Sequence, residues 1–169
     1  MSRSPNLIGR GPMTNPSPPC IQLDPIGYLR TGFETLAECP ASLMGNDGTS
    51  YIELLPHYAA GLHNIHLASH LIVFYWLHLS NRKPHLDATG CNGSKRGVFA
   101  SRTPNRPNPI AMSVTRLIAH DQNILQVEGL DCIDGTAVID IKPYVPQLDH
   151  IPDATIGWIP PHSEPALNR

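Results

Sequence analysis

Seven short runs of β-branched and aromatic residues, each closed off by Gly, Pro, Asn or Asp, constrain the fold of this chain more than any other feature. They are PIGYLRTGF (25–33), SYIELL (50–55), HLIVFYWLHL (70–79), RGVFAS (96–101), IAMSVTRLIAH (110–120), NILQVEGL (123–130) and TAVIDIK (136–142). Such residues are stiff at χ1 and fit a pleated surface, and the residues between them supply turns, so each run reads as a strand. Strands at this spacing predict a mainly β domain, a small closed or nearly closed β-barrel. HDQN (120–123) and CIDGT (132–136) predict hairpin turns between apolar runs. Helical character is confined to 58–69, with Leu62, Ile65 and Leu67 as its buried side, so one short helix is expected. No GxGxxG or GxxxxGK[ST] follows a strand, which argues against Rossmann and Walker phosphate sites.

With 169 residues and 41% hydrophobic side chains, one domain with a real core is expected. The first 20 residues are rich in Pro, Ser, Gly and Asn and read as a flexible arm; 160–169 has the same character and reads as a flexible tail, leaving 21–159 as the folded domain. A net charge of -2 excludes a broadly basic surface, so nucleic acid would be met by a local patch or with a second subunit. Cys20, Cys39, Cys91 and Cys132 form no CxxC pair, which signals neither a thiolate zinc site nor a disulfide framework and fits a reduced, cytoplasmic setting. The longest apolar run, LIVFYWL (71–77), is far short of the roughly 20 residues of a membrane helix. No signal peptide is evident at the start.

The densest chemistry lies in GVFASRTPNRPNPIAMS (97–113), where Pro104, Pro107 and Pro109 share a corner with Arg102 and Arg106. Proline fixes φ and biases its predecessor toward extended geometry, so both guanidinium groups would project in defined directions. A rigidly held guanidinium suits a carboxylate, a phosphate or an aromatic base. The alternative is that these arginines pin the loop to backbone carbonyls while the prolines end strands.

GVFASRTPNRPN resembles the signature of the TsaA-like domain family, S-adenosylmethionine-dependent methyltransferases that include the tRNA N6-threonylcarbamoyladenosine methyltransferases. PIGYLRTGF is similar to that family's opening strand, SHLIVFYWLH to its central strand, and LDCIDGTAVIDIKPYVPQLDHIPDA to its closing hairpin and loop. The four blocks cover most of residues 25–154. The resemblance implies a non-Rossmann β-barrel that binds S-adenosylmethionine and works as a homodimer with active-site residues shared across subunits. It implies tRNA as the acceptor, methylated at N6 of threonylcarbamoyladenosine next to the anticodon, and no membrane partner.

Transferred position by position, the family's cofactor contacts fall on Pro40, Ala41 and Ser42, on His78 and Leu79, on Arg102, on Met112, and on Asp134, Gly135, Thr136 and Ala137. Arg102 would neutralise the methionine carboxylate or cover the adenine, and Arg106 would brace the loop. The 134–136 turn would offer backbone N–H groups and side-chain acceptors to the nucleoside, or serve as a plain turn. The DIKPYVPQLD block makes Tyr144, Asp140 and Lys142 the catalytic or substrate-side candidates, Asp140 or a water it holds receiving the proton displaced at nitrogen. An Asp140–Lys142 ion pair on one strand face is the structural alternative.

Ala41 and Ser42 stand where tRNA-modifying members carry Arg and Gln, and Leu79 where Gln is common. These departures motivate a methyltransferase with a small-molecule acceptor; a non-catalytic module that binds S-adenosylmethionine is a further reading. A metal site is the remaining one, since His63, His66 and His70 would share a helical face, but no carboxylate lies close by in sequence to orient them.

Overall fold

The computed structural model describes residues 21–40, 48–82, 87–89 and 95–157. The arm at 1–20, the tail at 160–169, and Ala41 and Ser42 lie outside the described residues. Eight strands follow in chain order: β1 (Gly27–Arg30), β2 (Thr49–Leu54), β3 (His70–Trp76), β4 (Asp87–Thr89), β5 (Lys95–Gly97), β6 (Ile110–Asp121), β7 (Ile124–Glu128) and β8 (Ala137–Pro143). Six of them close into an antiparallel barrel in the order β1-β2-β7-β6-β3-β8, with β8 returning to β1 through Gly27–Val138 and Tyr28–Ala137 pairing. A closed sheet leaves no unpaired edge, which suits strands this short.

Alternation decides what fills the interior. On β3, buried Leu71, Val73 and Tyr75 alternate with half-buried Ile72, Phe74 and Trp76. Leu29, Ile52, Leu54, Leu125, Val127 and Val138 point inward from the other strands and form one cluster with them. The outward row of β3 meets Val114, Met112 and Ile110 of β6 on one side and Lys142, Asp140 and Ala137 of β8 on the other. The β3–β8 register shifts between Phe74 and Tyr75, a bulge beside the strand end that carries the site described below.

Four local expectations are corrected, the CIDGT hairpin among them. The 96–101 run joins no barrel strand: β5 pairs only with β4, and residues 98–100 form a 3-10 turn closed by the Ser101 hydroxyl donating to Val98 O at 2.9 Å. A serine bonding back to the main chain competes with ladder formation there. The segment at 58–69 is two 3-10 turns, Pro56–Leu62 and Ile65–Leu67, separated by Asn64 at φ 65°. Leu62 is buried and Ile65 packs against the core, but Leu67 is 76% exposed. The α-helix is instead one turn at Pro146–Asp149 (α1), with Val145 N–H donating to Asp149 Oδ2.

HDQN does form the β6–β7 hairpin, with Gln122 at φ 53° in the turn. CIDGT does not form one, because β7 and β8 are not neighbours. Its turn folds onto β1 and the segment after it: Gly135 N–H donates to Leu29 O and Asp134 N–H to Phe33 O, both at 2.8 Å. Among the described residues no helix is long and apolar enough to cross a membrane.

Candidate functional site

A cleft of about 770 Å³ opens where β3 ends and β6 begins. Its walls come from Leu36, Cys39 and Pro40 after β1, Tyr75 and residues 77–80, residues 102–106, Ile110 to Ser113, and residues 131–133 with Thr136. This volume is typical of a site for a small molecule or cofactor.

Short-range bonds fix the rim. Leu77 N–H donates to Pro109 O at 2.9 Å and Ser80 N–H to Leu77 O at 3.0 Å, folding the chain back after β3. Asn81 N–H donates to Asn105 Oδ1 at 3.0 Å and so ties that turn to the arginine–proline corner. Within the corner, Arg106 is half-buried and donates from Nη1 to Ser101 O at 3.4 Å and to Thr103 O at 3.5 Å. Arg102 is exposed, lines the cleft, and has no hydrogen bond or ion pair among the described residues. Below the rim, Glu38 Oε2 accepts from Glu34 N–H at 2.8 Å and Thr35 N–H at 3.0 Å, closing the turn that leads to Cys39 and Pro40. The Thr35 and Glu34 N–H bonds hold its carboxyl below the ordinary glutamate range.

The floor is a buried relay. Tyr75 Oη donates to Asp131 Oδ1 at 2.7 Å and lies 2.8 Å from Ser113 Oγ. Since the Tyr75 proton goes to Asp131, the serine hydroxyl donates to the tyrosine oxygen. Burial is the main cause that pushes the Tyr75 phenol well above its usual range, so it stays a donor. Burial likewise pushes the Cys132 thiol up to about 12 and raises that of Cys39, with the Asp131 charge adding to both. Asp131 is the one carboxylate among the described residues lining the cleft.

Of the residues implied by the family resemblance, the cleft gathers Pro40, His78, Leu79, Arg102, Met112 and Thr136. Asp134, Gly135 and Ala137 stand behind its wall. The polar groups of the turn already have partners: besides the N–H bonds to Leu29 and Phe33, Asp134 Oδ1 accepts from Thr31 N–H at 3.0 Å and Oδ2 lies 3.7 Å from Arg30 Nη1. Those N–H groups hold the turn against residues 29–33. Asp140 and Lys142 lie outside the cleft lining, on the outer face of β8, and form an ion pair at 2.5 Å. Tyr144 is at the far end of β3, its N–H donating to His70 O. His63 and His66 share a shallow groove with His120, while His70 belongs to β3 and bonds Ser69 Oγ through Nδ1. Among the described residues no group of three or more His, Cys, Asp or Glu is arranged to hold a metal ion.

Tyr75, Ser113, Asp131 and Cys132 are the cleft residues that sequence reasoning missed. No local pattern in the sequence marks them, because the relay is assembled from β3, β6 and the segment between β7 and β8.

An antiparallel barrel with a polar-floored cleft at its mouth, and no glycine-rich phosphate loop, is a small-molecule-binding barrel outside the nucleotide-binding α/β class. The chain belongs to the tRNA-methyltransferase O N-terminal domain family, whose model matches residues 28–150. It is 40% identical over 138 residues, 82% of its length, to a probable S-adenosyl-L-methionine-binding protein of Archaeoglobus fulgidus, of which it covers 38%. It is 31% identical over 148 residues to the tRNA (adenine(37)-N6)-methyltransferase of Escherichia coli, covering 81% of this chain and 63% of that one. The crystal structure of TrmO from Pseudomonas aeruginosa superposes with a TM-score of 0.69 at 34% identity, covering 82% of this chain and 62% of the other. The chain thus spans less than two thirds of each of these three relatives.

Proposed function

We propose that this chain is an S-adenosylmethionine-dependent methyltransferase that acts on tRNA, at N6 of threonylcarbamoyladenosine next to the anticodon. The observation that carries this reading is the guanidinium of Arg102, without a partner among the described residues, at a cleft whose apolar wall includes Leu77, Leu79, Ile110 and Met112. The residues fit the cofactor: a cation for its carboxylate and apolar surface for its adenosine and methylene groups. When bound, S-adenosylmethionine supplies an electrophilic methyl group. The chain contributes alignment and exclusion of water, with Pro40 and Thr136 bounding the pocket and His78 at its rim. The 134–137 turn acts as the support that holds Thr136 in place.

The same reading includes a homodimer and a cytoplasmic location. Ile72, Phe74, Trp76, Ile110, Met112 and Val114 form a continuous apolar strip outside the barrel, bordered by Asp140 and Lys142. Ile110 and Met112 belong to this strip and also line the cleft. A second copy seated on the strip would complete the cleft and bring its own Asp140, Lys142 and Tyr144 toward the acceptor, which gives these residues a role their own cleft does not.

The test is methyl transfer from labelled S-adenosylmethionine to tRNA carrying N6-threonylcarbamoyladenosine, with the same tRNA lacking the modification as control. Label recovered in the N6-methylated nucleoside only from the modified tRNA is the expected result. Cofactor binding without transfer to either tRNA removes tRNA as the acceptor.

A further inference from the structure

We infer that Asp131 is the cation-reading group of the cleft: its carboxylate recognises the positively charged part of S-adenosylmethionine. This rests on the cofactor reading above and goes beyond it by assigning a specificity-determining residue. The cleft has opposite charges on different walls, with Arg102 on the arginine–proline loop and Asp131 on the β7–β8 connection. The two do not pair with each other: Asp131 makes no ion pair, and its Oδ2 has no hydrogen bond among the described residues. The donor molecule carries the matching pattern, a carboxylate together with an ammonium and a sulfonium.

The surroundings leave one carboxylate oxygen to a ligand. Oδ1 already accepts the Tyr75 hydroxyl at 2.7 Å, so Oδ2 is the atom that meets a bound cation. The other titratable groups beside it, Tyr75, Cys39 and Cys132, stay neutral because burial opposes their ionisation, so no second anion competes for a bound cation. His78, Arg102 and Arg106 are the basic groups lining the rest of the cleft. Tyr75 and Ser113 are positioning residues: they aim the carboxylate from inside the barrel through a rigid relay.

The experiment is calorimetric titration of the full chain and of Asp131→Asn with three probes. These are S-adenosylmethionine, S-adenosylhomocysteine, which keeps the ammonium but has a neutral sulfur, and 5′-methylthioadenosine, which has neither charge. The expected result is S-adenosylmethionine binding weakened about tenfold or more, as for loss of one partly desolvated charge partner, with methylthioadenosine unchanged. Joint weakening of S-adenosylhomocysteine assigns the contact to the ammonium, and its sparing assigns it to the sulfonium. Tyr75→Phe keeps both ring and carboxylate but removes the orienting bond, and should shift the same probes in the same direction by a smaller factor. This variant carries the test if Asp131→Asn fails to fold. Unchanged S-adenosylmethionine binding, or equal weakening of the uncharged fragment, overturns the assignment. Failure of the unaltered chain to bind any of the three overturns the cofactor reading itself.

Discussion

Two arginines four residues apart do opposite work. Arg106 donates to two backbone carbonyls of its own loop, whereas Arg102 lines the cleft without a partner among the described residues. Arg106→Ala is expected to cost stability, about 1 kcal/mol for two long hydrogen bonds, through loosening of the corner. Arg102→Ala should change the unfolding midpoint little, since an exposed side chain without a partner contributes little to folding. It should weaken S-adenosylmethionine about tenfold or more by removing the carboxylate's counter-charge. Thermal melts and calorimetry on both variants separate the two effects. The three prolines of the loop say only that both arginines leave the backbone in fixed directions; which of them meets a ligand was an expectation from the family resemblance. Asp131 was not legible, because its importance comes from Tyr75 and Ser113, which β3 and β6 bring beneath it from 56 and 18 positions away. No local pattern encodes that meeting.

Among the elements, the barrel strands were readable for the reason that they alternate, and the failures fall where alternation is absent. Residues 58–69 hold apolar residues at helical spacing, yet Asn64 adopts the left-handed region and splits the segment. The turn at 132–136 has hairpin chemistry but connects strands that are not adjacent, a topological fact that turn residues do not report. Its true partner is β1, and β1 depends on one glycine. A Cβ on Gly27 would land on the Glu53 carbonyl oxygen and 2.7 Å from Leu54 Cα, both backbone atoms of β2 that cannot swing aside. Gly27→Ala is therefore expected to lower stability by about 1–3 kcal/mol, the range for overpacking against fixed neighbours. Chemical denaturation reads this directly. Because Leu29 of β1 accepts the Gly135 N–H and donates its own N–H to Thr136 O, the variant should also loosen the wall that carries Thr136.

For the molecule as a whole, the outer strip on β3 and β6 presents three cross-strand apolar pairs, Ile72 with Val114, Phe74 with Met112 and Trp76 with Ile110. Val114, Met112 and Ile110 are each about 40% exposed, which a solitary barrel would ordinarily cover with polar residues. A stable association takes about 800 Å² from each partner. Six side chains do not reach that area, so the contact has to extend past the strip, and two further exposed apolar groups line the cleft, Leu36 at 65% and Leu79 at 59%. An interface drawn that way runs over the mouth of the cleft, which makes association and cofactor binding interdependent. Val114→Asp places a charge at the centre of the strip while leaving the cleft lining untouched, since Val114 is not part of it. The expected outcome is a monomer by light scattering where the unaltered chain is a dimer, with a native melt, because the side chain points away from the core. Methyl transfer should fall with the dimer and recover at high protein concentration. A dimer that survives Val114→Asp would move the interface off the β3–β6 face and leave Asp140, Lys142 and Tyr144 without a route to the cleft.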